Sequence, residues 1–199
     1  MTKNIPTLVK ELSAQLESCC TNKRAATQEA WWLLEKVTGK NMTELLSHPE
    51  QELVPTQQQA LTDMLTQRVE HKKPLQYILG SIPFCGIEIL VEPPILIPRA
   101  ETEEWVSWLM MQLEPAKNTP LKILDLCTGS GCIALTLAHA LPQATCTGVD
   151  INPQAIALAN KNKRAIGVTN VTFIQSDMFD GLPPHSTFDL IVSNPPYVT

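Results

Sequence analysis

The chain has 199 residues, of which 44% are hydrophobic and 18% charged, a composition ordinary for a globular protein of one or two domains. Its net charge of −5 is uneven: nine of the 15 basic and nine of the 20 acidic residues lie up to Lys73, so the acid excess falls on the remainder and argues against nucleic acid as the main partner. No basic-then-apolar segment opens Met1–Leu16, and no apolar run nears the roughly 20 residues of a membrane span, which leaves a soluble, cytoplasmic protein with no membrane partner as the expectation.

Residues 1–73 are expected to form a small all-α domain. Leu8, Leu12, Leu16 and Cys19 keep a helical period, as do Ala26, Ala30, Leu33 and Val37, and Gly39 supplies a C-terminal cap. Asn41 with Glu44, and Thr56 with Gln59, resemble capping boxes. Leu61, Leu65 and Val69 form the stripe of the last helix. Of the adjacent Trp31 and Trp32, helical geometry sends one ring to the core. Pro74 breaks the helical pattern. Leu75–Gly80 and Ile87–Val91 are expected as two strands about a turn at Pro83–Gly86, and this β-hairpin with the extended stretch Pro93–Arg99 makes a linker over residues 74–99.

Glu101, Glu103 and Glu104 then occupy the first turn of a helix, where the macrodipole favours negative charge, and Trp105, Leu109 and Leu113 form its apolar face. From Lys122 the rhythm becomes strand, turn, helix. Ile123–Leu126 is a strand, Cys127–Gly131 a turn, and Ile133, Leu137 and Leu141 mark a helix. Thr145–Val149 is a second strand ending in Asp150; Asn152 caps a helix whose first residue is Pro153 and which Gly167 closes. Val171–Gln175 is a third strand, ending in Ser176-Asp177, and Leu190–Ser193 a fourth. The alternation predicts an α/β fold with a parallel, doubly wound sheet. The six cysteines (Cys19, Cys20, Cys85, Cys127, Cys132, Cys146) include no Cys-x-x-Cys pair, so reduced thiols are expected, with neither a disulfide framework nor a metal site.

In such a sheet, ligands bind beyond the C-terminal ends of the strands. The turn Cys127-Thr128-Gly129-Ser130-Gly131 lies between a strand and a helix, where glycines allow close backbone approach to a ligand and present amides at a helix N-terminus. It lacks the third glycine of the dinucleotide fingerprint, and glycine turns also close plain βα units. Asp150, 19 residues beyond Gly131 at the next strand end, suits the two hydroxyls of a ribose, or simply the start of the helix after Asn152. Asp177 suits an adenine amino group, or a turn. After the fourth strand comes Asn194-Pro195-Pro196-Tyr197. Its prolines remove two backbone donors and leave carbonyls as acceptors, Asn194 adds a side-chain carbonyl, and Tyr197 adds a flat face. Together these make a site for a planar group bearing an NH2, such as an amide or an amino-purine.

Glycine turn, ribose carboxylate, base carboxylate and Asn-Pro-Pro-Tyr together resemble the class I S-adenosylmethionine-dependent methyltransferases. Pro74-Leu75-Gln76-Tyr77-Ile78-Leu79-Gly80, Phe84-x-Gly86, Leu96-Ile97-Pro98-Arg99-Ala100-Glu101-Thr102-Glu103 and Ile191–Tyr197 narrow the resemblance to the HemK/PrmC family, over the whole chain. That resemblance implies a Rossmann-like methyltransferase sheet over residues 100–199, preceded by a helical substrate-recognition domain and the hairpin linker. The implied activity is methylation of the side-chain amide of the glutamine in the Gly-Gly-Gln motif of peptide-chain release factors, by a monomer using S-adenosylmethionine. The resemblance assigns Cys127, Thr128, Gly129, Ser130 and Gly131 to the methionine end of the cofactor, Asp150 to its ribose, and Asp177 with Met178 to its adenine. Asn194 would also border the cofactor. Asn194, Pro195, Pro196 and Tyr197 would bind the glutamine amide, with Asn194, Pro195 and Tyr197 carrying the catalysis.

Two positions depart from the family pattern: Cys127 stands where glycine is usual, and Ala100 where proline is common. If position 127 requires φ above zero, its side chain costs about 1–2 kcal/mol. An adenine-specific nucleic-acid methyltransferase would use the same Asn-Pro-Pro-Tyr chemistry, but would bring a basic surface or an added domain that the sequence does not show. Sheets of this class normally have seven strands and only four are legible here, so a shortened copy, acting as an inactive fragment or binding module, is the third alternative.

Overall fold

The computed structural model describes residues 4–195, which divide into two compact units, Met1–Leu79 and Gly80–Thr199. The first holds five α-helices: α1 (Ile5–Leu16), α2 (Lys23–Thr38), α3 (Met42–Ser47), α4 (Pro55–Val69) and α5 (Leu75–Leu79). Asn4, Asn22 and Asn41 cap the first three with their side chains, and the Asn41–Glu44 pair forms the expected reciprocal box. The box expected at Thr56 and Gln59 is not the one that forms. The helix starts at Pro55, and the Gln57 side chain accepts the Val54 N–H at 3.1 Å; proline in the first turn forfeits no hydrogen bond, so the start shifts to it.

Ile5, Leu12, Leu16, Leu33, Leu34 and Leu45 fill the core of this unit, with Trp31 packed against it and Trp32 at 44% exposure. One tryptophan in and one out is the expected outcome for neighbours on a helix. Arg68 on α4 grips Glu29 on α2 through two N–H donors, each at 2.8 Å, and donates to the Cys19 carbonyl at 3.0 Å. With both side chains only 14% exposed, the fork geometry satisfies charges that burial alone would penalise.

Leu75–Gly80 is not the strand that the sequence suggested. Leu75–Leu79 forms α5, opened by amides of Tyr77 and Ile78 on the Pro74 carbonyl. Leu75, Ile78 and Leu79 all reach the helical core, which the i, i+3, i+4 spacing of a helix permits and a two-residue period does not. The hairpin lies one segment later and belongs to the second unit. Its strands are β1 (Ser81–Phe84) and β2 (Ile87–Leu90), paired Ser81↔Leu90 through Phe84↔Ile87. The two loop residues Cys85 and Gly86 have φ of 46° and 82°, the left-handed pair that matches hairpin twist. Pro83 sits within β1 because its pair with Glu88 is next to the hydrogen-bonded loop pair, and its missing N–H would have pointed off the ladder.

The rest of the second unit is the predicted α/β layer. Helix α6 spans Ala100–Leu113, α7 Cys132–Ala140 and α8 Pro153–Ile166; strands β3 (Lys122–Leu126), β4 (Thr145–Asp150), β5 (Val171–Gln175) and β6 (Leu190–Ser193) form one parallel sheet in the order β5-β4-β3-β6. On α6 the deepest residues are Thr102 and Val106, with Trp105, Leu109 and Leu113 half-buried beside them. The chain adds β4 and β5 on one side of β3 and then returns to add β6 on the other. That reversal places a switch point between β3 and β6, where parallel sheets open a crevice at their C-terminal ends.

Candidate active site

Four strand ends converge at this edge. The β3 end carries the turn Cys127–Gly131, in which Cys127, Gly129 and Gly131 have φ of 58°, 56° and 81°. Three left-handed residues in five fold the backbone tightly, and the Thr128 N–H closes on the Val149 carbonyl at 2.9 Å, the Gly131 N–H on the Thr128 carbonyl at 2.8 Å. Gly131 has a second reason to be glycine: a Cβ there would lie 2.9 Å from the Phe173 ring and 3.0 Å from Ala159 and Leu135. Gly129 lacks such neighbours, its nearest being Ile95 at 3.9 Å from a Cβ, so its face is open to a ligand.

Asp150 ends β4 and is partly buried. Its Oδ2 accepts the Gly129 N–H and its Oδ1 the Asn152 N–H, each at 2.9 Å. One carboxylate thereby fixes the glycine turn and the start of α8, while each oxygen keeps a second lone pair for a hydroxyl. Past β5, the buried Ser176 hydroxyl donates to the Met178 carbonyl at 2.9 Å and accepts the Gly181 N–H at 2.7 Å. This closes a turn with exposed Asp177 and Met178, the latter at φ 46°. Past β6 come Asn194 and Pro195. The Asn194 side-chain nitrogen donates to the Thr102 hydroxyl at 2.9 Å, and Ser193 donates to the Leu126 carbonyl at 3.0 Å, tying the β6 end to the β3 end. Pro196 and Tyr197 lie outside the described residues.

Acidic groups dominate the field. Burial pushes the Cys127 thiol up, and Asp150, Asp125 and Asp177 push it further, against a hydrogen bond from Ser193. The residue therefore stays a neutral thiol at neutral pH. A field of this sign, a turn with glycine faces, and a carboxylate pinned at the strand end suit a cationic, ribose-bearing cofactor such as S-adenosylmethionine.

Three contributors were given no role by the sequence reading. Asp125 within β3 is fully buried; its Oδ2 accepts the Thr128 hydroxyl at 2.6 Å and the Ala134 N–H at 3.2 Å, so it braces the glycine turn from below. Asn162 on α8, also fully buried, donates to the Ser130 carbonyl at 2.9 Å and the Leu90 carbonyl at 3.1 Å, and accepts the Leu90 N–H at 2.7 Å, linking the hairpin to that turn. Gly148 in β4 has no room for a side chain: a Cβ would meet the Phe173 ring at 2.6 Å and Thr128 Oγ1 at 2.7 Å. The available signal was a carboxylate inside an apolar strand; Asn162 shares its helix with Gln154 and Asn160, so neither that amide nor the glycine stood out.

Comparison with known proteins places both units in known families. Residues 7–80 match the family model described as PrmC N-terminal domain, and residues 117–197 that described as Methyltransferase domain. A release factor glutamine methyltransferase of Salmonella typhimurium is 42% identical over 171 residues, 86% of this chain and 60% of the relative. One from Vibrio cholerae is 36% identical over 199 residues, 100% of this chain and 67% of the relative. Among solved structures, a SAM-dependent methyltransferase from Agrobacterium tumefaciens is similar at 27% identity and a TM-score of 0.50, covering 58% of this chain and 39% of that one. The chain thus spans about 60% of the Salmonella relative's length.

Proposed function

This chain belongs to the release factor glutamine methyltransferases, and from that premise we propose that it methylates the side-chain amide nitrogen of the Gly-Gly-Gln glutamine in a peptide-chain release factor. The observation that carries the reading is Asn194-Pro195 at the end of β6, one strand from the Cys127–Gly131 turn at the end of β3. S-adenosylmethionine, when bound, supplies an electrophilic methyl on a sulfonium. Cys127, Thr128, Gly129, Ser130 and Gly131 would hold its methionine end, Asp150 its ribose, and Asp177 with Met178 its adenine.

An amide nitrogen is a weak nucleophile because its lone pair is delocalised into the carbonyl. The Asn194 side-chain oxygen and the Pro195 carbonyl would each accept one of its two N–H groups, which favours pyramidal nitrogen and aims its lone pair; Tyr197 and Pro196 would pack against the amide plane. As the nitrogen gains the methyl group it loses one proton to water, so no side chain of strongly shifted pKa is required. Positioning then supplies most of the rate gain. We assign the helical unit ending at Leu79 to substrate recognition and the unit from Gly80, hairpin included, to cofactor binding, in a monomeric cytoplasmic enzyme.

The test is Asn194→Ala, assayed with release factor and with DNA. Methyl transfer to release factor should fall by about 100-fold or more, with S-adenosylmethionine affinity kept within about twofold. Equal loss of cofactor binding in a folded variant, or transfer to DNA alone, would count against the assignment.

A further inference from the structure

We propose that Thr102 is a positioning residue for this reaction, holding the Asn194 amide through the bond from Asn194 Nδ2 to Thr102 Oγ1 at 2.9 Å. The inference rests on the reading of Asn194 above, but it names a residue 92 positions away in sequence. Thr102 is only 4% exposed although threonine is polar, so its hydroxyl is placed inside the protein for a partner. Asn194 is that partner. In the orientation found, the nitrogen of the Asn194 amide donates to Thr102, so the bond holds the amide plane at its nitrogen end and sets where its oxygen lies.

The carrier of Thr102 is itself anchored. It lies in the first turn of α6, where the N–H groups of Thr102 and Glu103 both donate to the Arg99 carbonyl, at 3.0 and 3.1 Å. The neighbouring Glu103 reaches the hairpin, its Oε1 accepting the Cys85 N–H at 2.8 Å. Cys85 is the loop residue with φ 46°, so the carboxylate pins the one part of the hairpin whose backbone conformation is costly for a side chain. Adjacent residues of α6 thus divide two tasks: Glu103 fixes the helix start to the hairpin turn, and Thr102 delivers that rigidity to Asn194. This gives the Thr102-Glu103 pair of the connector motif a physical purpose that does not involve touching cofactor or substrate.

The test pairs Thr102→Val, which keeps the shape and removes the hydroxyl, with Thr102→Ser, which restores it. For Val, kcat should fall about tenfold, the effect of losing one aligning hydrogen bond, with S-adenosylmethionine affinity and release-factor KM within about twofold. The Asn194 side-chain NH2 pair in a ¹⁵N spectrum should shift and sharpen in Val, and return toward the parental position in Ser together with kcat. An unchanged kcat, an unchanged Asn194 resonance, or a Ser variant no better than Val each overturns the proposal. Should the parent protein transfer no methyl group to release factor, the assignment of Asn194 fails instead, and the Asn194 resonance in the Val variant alone decides whether Thr102 holds that amide.

Discussion

Cys127 and Asp125 show what single residues cost and contribute at this edge. The family pattern already marked Cys127 as a departure from glycine, and its φ of 58° places it in the left-handed region, where a side chain costs about 1–2 kcal/mol. The turn tolerates this because hydrogen bonds from both sides over-determine it. Asp125 is different: a carboxylate inside an apolar strand is a visible signal, but the sequence does not show that it is a buried brace. Burial raises its carboxyl to about 7, outweighing the Thr128 and Ala134 hydrogen bonds that favour the anion, and Asp150 adds to the rise. The folded value lies above the unfolded one, so between about pH 4 and 7 the folded state binds the extra proton. Stability from this group is therefore greatest below pH 4, declines as pH rises to about 7, and is constant beyond. Asp125→Asn should gain on the parent by roughly 2 kcal/mol between pH 5 and pH 8, in paired urea unfolding curves. A stability difference that does not move with pH would remove the titration account.

At the scale of elements, the strands of the parallel sheet and the helices between them were legible because strand, turn and helix alternate regularly and the helix caps are explicit. Asn152 with Pro153, and Gly167 at φ 82°, bound α8 as read from the chain. The short apolar run after Pro74 was not legible. Leu75–Leu79 fits either period, and the neighbouring helical core decided for helix; the strand then formed at Ser81–Phe84, where loop residues able to take positive φ could close it. Gly148 shows packing that has no sequence signal at all. Adding one methyl there forces the Phe173 ring and Thr128 aside. Gly148→Ala should destabilise by about 1–3 kcal/mol and weaken cofactor binding, since Thr128 belongs to the glycine turn. Phe173→Leu in the same chain should recover part of the stability. Additive losses in that double-mutant cycle would locate the strain elsewhere.

Over the whole molecule, the two compact units offer different surfaces. Within the helical unit a groove runs over Leu8, Leu12, Leu61 and Leu65, with exposed Glu52 and Glu70 on its rim. Under the proposed function, this apolar floor with an acidic rim would take a basic, amphipathic segment of the substrate. Replacing both rim glutamates with lysine should raise the release-factor KM about tenfold at low salt, with kcat and S-adenosylmethionine affinity unchanged; an unaltered KM would assign recognition to another face. In the second unit, β6 and β5 are the edge strands of the described sheet, and Ile191 on β6 is 51% exposed. By itself, the sequence determined which segments are strands and helices of the sheet, the family, and the residues at four strand ends, because periodicity, caps and turn chemistry are local properties. Only the tertiary structure decided the order β5-β4-β3-β6, the burial of Asp125 and Asn162, the exclusion of any side chain at Gly148 and the Thr102–Asn194 bond. Each of these depends on which distant residues share a space, and a linear pattern of polar and apolar residues does not encode that neighbour by neighbour.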